Sequence, residues 1–345
     1  MTRASWAVLA LLAVAGTARA QDPEPLRLLI QADAGFWPSP TDDSGFRWRR
    51  IRVGDDLSGH DVHLRVLLEW QPDVIYGQPP ATLSGGHLPF GGPVRMTEVF
   101  AGWAPSRAFE LDAGALRVPF SRSRQIDEAD LPLPERPGFI DAHTPDFRTG
   151  AEARGNLGEI LYRVGFFSAD QSVDGHLFGR GYLVAGRVVA EPIGPVGLQP
   201  WRRTRADPWF GWFRFAAGLS AVYGTLAAPG TLALDPEFTA QWRRWVISAE
   251  YLLSMRLASG TSFRDTGLQG AVVEPGVSLA RGRQYLIARA EWQQTAGTTT
   301  WGAGIGVTMR ISRSWRYSLA YERRWSSIEP FSNYWLFGRL AIAIE

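Results

Sequence analysis

The sequence predicts an all-β protein: a transmembrane antiparallel β-barrel of about 16 strands, preceded by a cleaved signal peptide. Three observations predict it. Long segments alternate between apolar and polar residues. No stretch beyond the N-terminus is apolar for long enough to cross a membrane as a helix. The connections between the alternating segments are, for the most part, short and long in turn.

The N-terminal 20 residues, MTRASWAVLALLAVAGTARA, contain Arg3, an apolar run from Trp6 to Ala15, and Ala18–Arg19–Ala20. This is the charged, apolar and small-residue order of a secretory signal, with cleavage expected before Gln21. Residues 21–345 are then expected to form one outer-membrane barrel domain. Removing Arg3 and Arg19 leaves the mature chain near neutrality, with 34 arginines against 34 acids. A neutral chain gives no reason to expect a nucleic-acid partner.

Residues 301–325 show the alternation best. Trp301, Ala303, Ile305, Val307, Met309 and Ile311 fall on one face, against Gly302, Gly304, Gly306, Thr308 and Arg310. After Ser312–Arg313–Ser314 the pattern resumes, with Trp315, Tyr317, Leu319 and Tyr321 opposite Arg316, Ser318, Ala320, Glu322 and Arg324. A strand that spans lipid needs about 9–11 residues, apolar outward and polar toward the lumen. Segments 62–70, 158–166 and 245–255 repeat the pattern, and the last strand sets Leu340, Ile342 and Ile344 against Arg339 and Glu345.

The strands are expected at 26–37, 46–55, 60–71, 95–104, 108–119, 147–154, 157–168, 177–192, 209–223, 232–243, 244–255, 268–279, 283–294, 299–311, 314–325 and 332–344. An even number puts both termini on one side. Short turns are expected at Asp56–Gly59, Ala104–Arg107, Gly155–Asn156, Arg243–Arg244, Arg281–Gly282 and Ser312–Arg313. Longer loops are expected at 72–94, 120–146, 224–231 and 256–267. Residues 193–208 and 295–298 break this rhythm, which leaves 14 or 18 strands as alternatives. Trp70, Trp103, Trp245, Trp292, Trp301 and Trp315 lie near strand ends, where interfacial aromatic girdles belong. A soluble sandwich fits less well, because its strands are usually shorter, and no propeller-length repeat is visible.

Several segments, taken in order, resemble the phosphate-selective porin O and P family. GALRVPFSRSRQIDEADLPLPERPG (114–138) is similar to the passage from a strand into that family's long third loop. DFRTGAEARGNLGEILYRVGFF (146–167) resembles the next hairpin, and RWRRIRVGDDLSG (47–59) the Arg-rich second strand. GRVVAEPIGPVG (186–197) and EFTAQWRRWVISAEY (237–251) resemble later hairpins. The resemblance implies a 16-stranded outer-membrane porin of a Gram-negative bacterium. It also implies a homotrimer, an inward third loop and small anionic solutes such as phosphate. The family's phosphate-specific members line the pore with arginines helped by lysines, whereas all 36 basic Lys+Arg residues here are Arg. The sequence ends in Glu345, where outer-membrane barrels commonly end in an aromatic residue.

Alternation turns Arg65, Arg163, Arg187, Arg214, Arg289, Arg310, Arg316, Arg324 and Arg339 toward the lumen. In 46–53 the apolar parity slips by one residue, and a bulge near Arg49–Arg50 would turn Arg50 and Arg52 inward. Inward acids are expected at Glu69, Glu98, Glu110, Glu159, Glu250, Glu291 and Glu322. A charge facing lipid at midplane costs roughly 2–4 kcal/mol, which forces the inward assignment. Two uses of these charges remain open at this point: solvating the lumen by pairing across strands, or forming a basic strip for anions, whose oxygens suit the planar Arg fork. Loop 120–146, stiffened by Pro132, Pro134 and Pro137, is the expected constriction, with Arg117 and Arg136 beside a passing anion. The alternative is that the loop lies outside with its charges solvated.

No cysteine is present, which removes disulfides, thiolate metal sites and thiol nucleophiles. The histidines are His60, His63, His87, His143 and His176, and none sits in a G-x-S-x-G or H-E-x-x-H pattern. Asp61 and His63 are two apart on a strand, an arrangement common among plain polar groups. A barrel enzyme is therefore disfavoured, no cofactor is expected, and a plugged or structural barrel is the remaining rival.

Overall fold

The computed structural model describes residues 27–37, 43–70, 94–127, 130–169, 181–198, 200, 211–224, 230–256, 266–279, 283–295, 297–311, 315–327 and 333–344. The signal segment, loop 72–93 and most of the 256–267 connection lie outside these residues. Sixteen strands are described: β1 (Arg27–Trp37), β2 (Asp43–Ser58), β3 (Val62–Trp70), β4 (Val94–Ser106), β5 (Phe109–Arg117), β6 (Phe147–Leu157), β7 (Ile160–Ser168), β8 (Tyr182–Ala190), β9 (Phe213–Gly224), β10 (Thr231–Trp242), β11 (Trp245–Arg256), β12 (Thr266–Leu279), β13 (Gln284–Thr295), β14 (Thr298–Arg310), β15 (Trp315–Ser326) and β16 (Asn333–Ile344). Each pairs antiparallel with its sequence neighbours, and β1 pairs with β16 to close the barrel. Closure gives every strand two partners, the condition for a sheet to sit in lipid.

The pleat sorts the side chains as the alternation requires. Ile305, Leu319, Val164 and Val188 are exposed on the outer wall, while Thr308, Ser318, Arg187 and Glu322 are buried on the inner. On that wall Trp292, Trp301 and Trp325 stand side by side across β13–β15 toward the long-loop end. Trp242 faces Trp245 at the short-turn end. Arg323, exposed between Tyr321 and Trp325 on the outer wall, sits at the level of the first girdle, where a long cation reaches the headgroups.

In β2, Gln31 pairs with Arg50 but Ala32 pairs with Trp48, so Arg49 is the extra residue of a bulge. The slip moves the second half of the strand to the opposite parity and turns Arg52 inward, 4% exposed. The turn expected at Gly155–Asn156 lies instead at Gly158–Glu159. Gly158 supplies the positive φ of 73° that the tight turn needs, whereas Gly155 is flanked by strand pairing to Tyr162. Glu159 is consequently an exposed turn residue and not an inward acid. The Arg243–Arg244 turn is present, with Arg243 at φ 54° and its guanidinium over the Trp242 ring.

Candidate functional site

Two connections enter the barrel from opposite ends. The first, residues 118–146, leaves β5 at the long-loop end, where Val118 N donates to Asp146 O at 3.1 Å and pinches its neck. Its first turn is helix α1 (Arg122–Gln125), with Ser121 at the N-cap. Glu250 of β11 clamps that turn. It accepts from Ser121 Oγ at 2.7 Å, from Ser123 N at 3.0 Å and from Ser123 Oγ.

The segment then crosses to the β13–β16 wall. Arg316 donates to Leu131 O, Thr308 Oγ1 to Pro132 O at 3.0 Å, and Arg339 to Pro134 O. Arg289 Nη2 donates to Glu135 O at 2.8 Å. Gly138 N donates to Glu291 Oε2 at 3.0 Å, opening helix α2 (Gly138–His143), which leads back to β6. Three strand arginines and a threonine thus satisfy four carbonyls of a proline-rich stretch. Its apolar side chains face the wall as well: Phe120, Ile126, Leu133, Phe139 and Ile140 are almost wholly buried. Gly306 makes room, since a Cβ there would lie 2.5 Å from Leu133. Burial lowers the His143 imidazole pKa below its ordinary value.

The second connection follows β8 at the short-turn end. Glu191 Oε1 accepts from Val196 N and Gly197 N, folding the chain back. Pro195 O and Pro200 O then accept from Arg214 and Gln241 of the inner wall. Leu198 reaches the first segment: its carbonyl accepts from Arg122 Nη2 at 3.0 Å, and its side chain packs against the cluster of Ile126, Leu131 and Leu133.

The arginines singled out in the sequence divide among these contacts. Arg154, Arg163 and Arg187 stand side by side across β6–β8. Arg163 donates to Glu152 at 2.7 and 2.9 Å and to Gln125, and Arg187 to Glu237 at 2.5 and 2.9 Å. Arg52 bridges Glu69 and Asp127, and Arg65 bridges Asp56 and Glu98. Arg289 joins Glu274 to Glu322, and Arg324 pairs with Glu291. Arg117 donates to the Arg124 and Gln125 carbonyls, and Arg136 to those of Ser123 and Ile126. Both brace the inward segment. Arg310 stands directly opposite Arg316, and no carboxylate pairs with Arg310 among the described residues. Arg50 pairs through its backbone with Gln31; its side chain lies outside the described residues.

Sequence reasoning missed half of the counter-charge. Asp56, Asp112, Glu152, Asp235, Glu237 and Glu274 also face inward. Strand parity could have found Asp56 and Asp112, which share a strand face with Arg52 and Glu110, whereas no residue of β6, β10 or β12 had been assigned to the lumen to fix the parity of the other four. Their presence offsets the arginine excess that a count of the expected residues suggests.

No protein-family model matches the chain, and neither does any curated protein sequence. The fold does match solved structures. The anion-selective porin from Comamonas acidovorans aligns at 11% identity, covering 93% of this chain and 99% of that one, with a TM-score of 0.60. The trimer form of OmpT, an outer membrane protein of Vibrio cholerae, aligns at 11% identity over 93% and 98%, with a TM-score of 0.57. OpdK from Pseudomonas aeruginosa, solved with vanillate, aligns at 12% identity over 92% and 97%, with a TM-score of 0.51. The chain is therefore a 16-stranded antiparallel barrel with the fold of known outer-membrane porins.

Proposed function

We propose that the protein is an outer-membrane porin of a Gram-negative bacterium, passing small solutes with a modest preference for anions. The observation that carries this reading is the inner wall: a continuous lining of arginines and carboxylates, narrowed by a segment that those arginines hold in place. Paired charges screen one another, so the lining favours weak selectivity over a strict filter. Phosphate is the anion that the resemblance to the O and P family suggests. Arg310 and Arg316, opposed at the short-turn end of β14 and β15, are where its oxygens would meet guanidinium groups, that of Arg316 while it also donates to Leu131 O. A homotrimer and a cleaved signal peptide belong to the same reading.

A second reading, a barrel closed at rest, is favoured by one contact. Leu198 packs against the apolar cluster that Ile126, Leu131 and Leu133 of the first connection form with Tyr285, Ile287 and Ala320 of the wall, and an apolar seam of this kind excludes water. Planar-bilayer recording of the purified protein separates the two. Stepwise conductance with a reversal potential of anion sign in a salt gradient supports the porin. A silent wild type that conducts once residues 193–198 are replaced by a tight turn supports the closed barrel and refutes the open one.

A further inference from the structure

We infer that the short-turn mouth carries a site for one divalent transition-metal ion, held by His63, Glu110 and Asp112. His63 of β3 pairs with Gly102 of β4, which pairs in turn with Asp112 of β5, so the three positions form a row across the inner wall. The glycine makes the site possible. A Cβ at Gly102 would lie 2.1 Å from Asp112 Oδ1 and 2.2 Å from His63 Nε2, in the space where these two side chains meet.

His63 Nε2 is 2.9 Å from Asp112 Oδ1 and 3.2 Å from Glu110 Oε1. Ligands held about 2.0–2.2 Å from a zinc ion stand about 2.9–3.5 Å apart as neighbours in its coordination shell. The imidazole nitrogen therefore already stands at neighbouring-ligand distance from each carboxylate, and the three donor atoms all lie within 4.8 Å of one another. The ion takes the place of the proton between imidazole and carboxylate.

Arg154 does not block the site. Its Nε lies 3.0 Å from Asp112 Oδ2, which leaves Oδ1 for the metal. Its Nη2 donates to Glu110 Oε1 at 2.5 Å, and that oxygen keeps a second lone pair for the ion, so the guanidinium and the metal share it. Held in this way, Arg154 is an orienting group behind two ligands. Two carboxylates against one guanidinium leave a net charge of −1 to attract a dication, while neighbouring Glu152 is matched by Arg163. The Phe100 ring meets the imidazole edge-on at 5.8 Å and walls one side. The His63 and Glu110 side chains are 23% and 24% exposed, so the ion keeps a position open to water. One imidazole with two carboxylates suits zinc, cobalt or nickel better than magnesium or calcium, which take oxygen ligands.

Metal binding does not depend on the channel reading, but its consequence does. An ion at this site changes the local charge from −1 to +1, so an anion at the mouth meets attraction in place of repulsion.

The test is titration of the folded protein in detergent micelles with Co2+, read by its visible absorption bands, followed by displacement with Zn2+. One ion per chain is expected. His63→Ala is expected to weaken binding at least 10-fold, and His60→Ala, an exposed turn residue, to leave it unchanged. Arg154→Met, which removes an orienting group but no ligand, is expected to weaken binding less than His63→Ala does, and an equal loss in both would argue against His63 as a ligand. Where His63→Ala fails to fold, Asp112→Asn is read in the same way. A wild type that binds neither ion, or one that binds no better than the His63 variant, overturns the site. Bilayer conductance in the presence of a chelator reports on the channel separately, so loss of metal binding and loss of the channel are distinguishable.

Discussion

Arg289→Met tests whether the inner wall is held by its ion pairs. Arg289 is 4% exposed and donates to Glu274 Oε1 through Nε and Nη2, at 2.9 and 2.8 Å. Through Nη1 it reaches Glu322 Oε1 at 3.1 Å, and through Nη2 the Glu135 carbonyl. Methionine keeps most of the stem volume and removes the charge. Two carboxylates, 6% and 3% exposed, then face each other without their shared cation. Breaking a buried pair by removing one partner costs about 3–5 kcal/mol. At ~1.4 kcal/mol per factor of ten, the unfolding equilibrium shifts by two to more than three orders of magnitude. Arg324, near Glu322 at 3.7 Å, absorbs part of the loss and places the value toward the lower bound. The assay is urea unfolding of the barrel in lipid vesicles, followed by tryptophan fluorescence. The companion variant Arg289→Met with Glu274→Gln and Glu322→Gln should recover more than half of the loss, because it removes the orphaned charges too. A single variant as stable as wild type, or a triple variant no better than the single, would show that these groups stay hydrated and that the pairs contribute nothing.

Three other outcomes are expected. Ile305→Arg places a charge on the outer wall and should cost roughly 2–4 kcal/mol in the same unfolding assay, with Gly304→Ser on the inner wall well below that; equal costs would contradict the facing of β14. Replacing Arg117 and Arg136 together by methionine should loosen residues 120–146 and raise the open-state current noise more than it changes ion selectivity, since both bind loop carbonyls; a selectivity change alone would argue that they meet solute. Leu198→Ser should increase single-channel conductance by weakening its packing on the cluster around Ile126, Leu131 and Leu133, and unchanged conductance would show that this seam is not the narrowest point.

The strands were legible in the sequence because each half-buried position alternates with a lipid-facing one, as at Ile305–Gly306–Val307. The bulge at Arg49 was legible for the same reason: Phe46 and Trp48 disagree in parity with Ile51 and Val53. The Gly158 turn was misplaced because Gly155 offers the same conformational freedom three residues earlier, and only pairing with β7 decides between them. The arginines were placed on the inner wall, but their partners were not. Arg289 meets Glu322 two strands away, and Arg339 meets Glu135 of a connection far earlier in the chain. Such meetings depend on strand stagger and on the path of the inward segment, and neither leaves a local pattern. Residues 193–198 stood out only as a connection too long for its side; nothing in their composition announced that they turn into the lumen.

The pairing of Leu28 with Ile344 has a consequence for how the chain is made. These partners are separated by almost the whole sequence, and contacts that distant form late because so much chain must be confined first. Until the last strand arrives, β1 and β15 each present a row of unsatisfied amides, which hydrocarbon does not tolerate. A nascent hairpin therefore cannot enter the bilayer alone and wait. Insertion and ring closure must be completed together, and a chain cut short by one strand should accumulate outside the membrane as a target for proteolysis, without yielding a smaller pore.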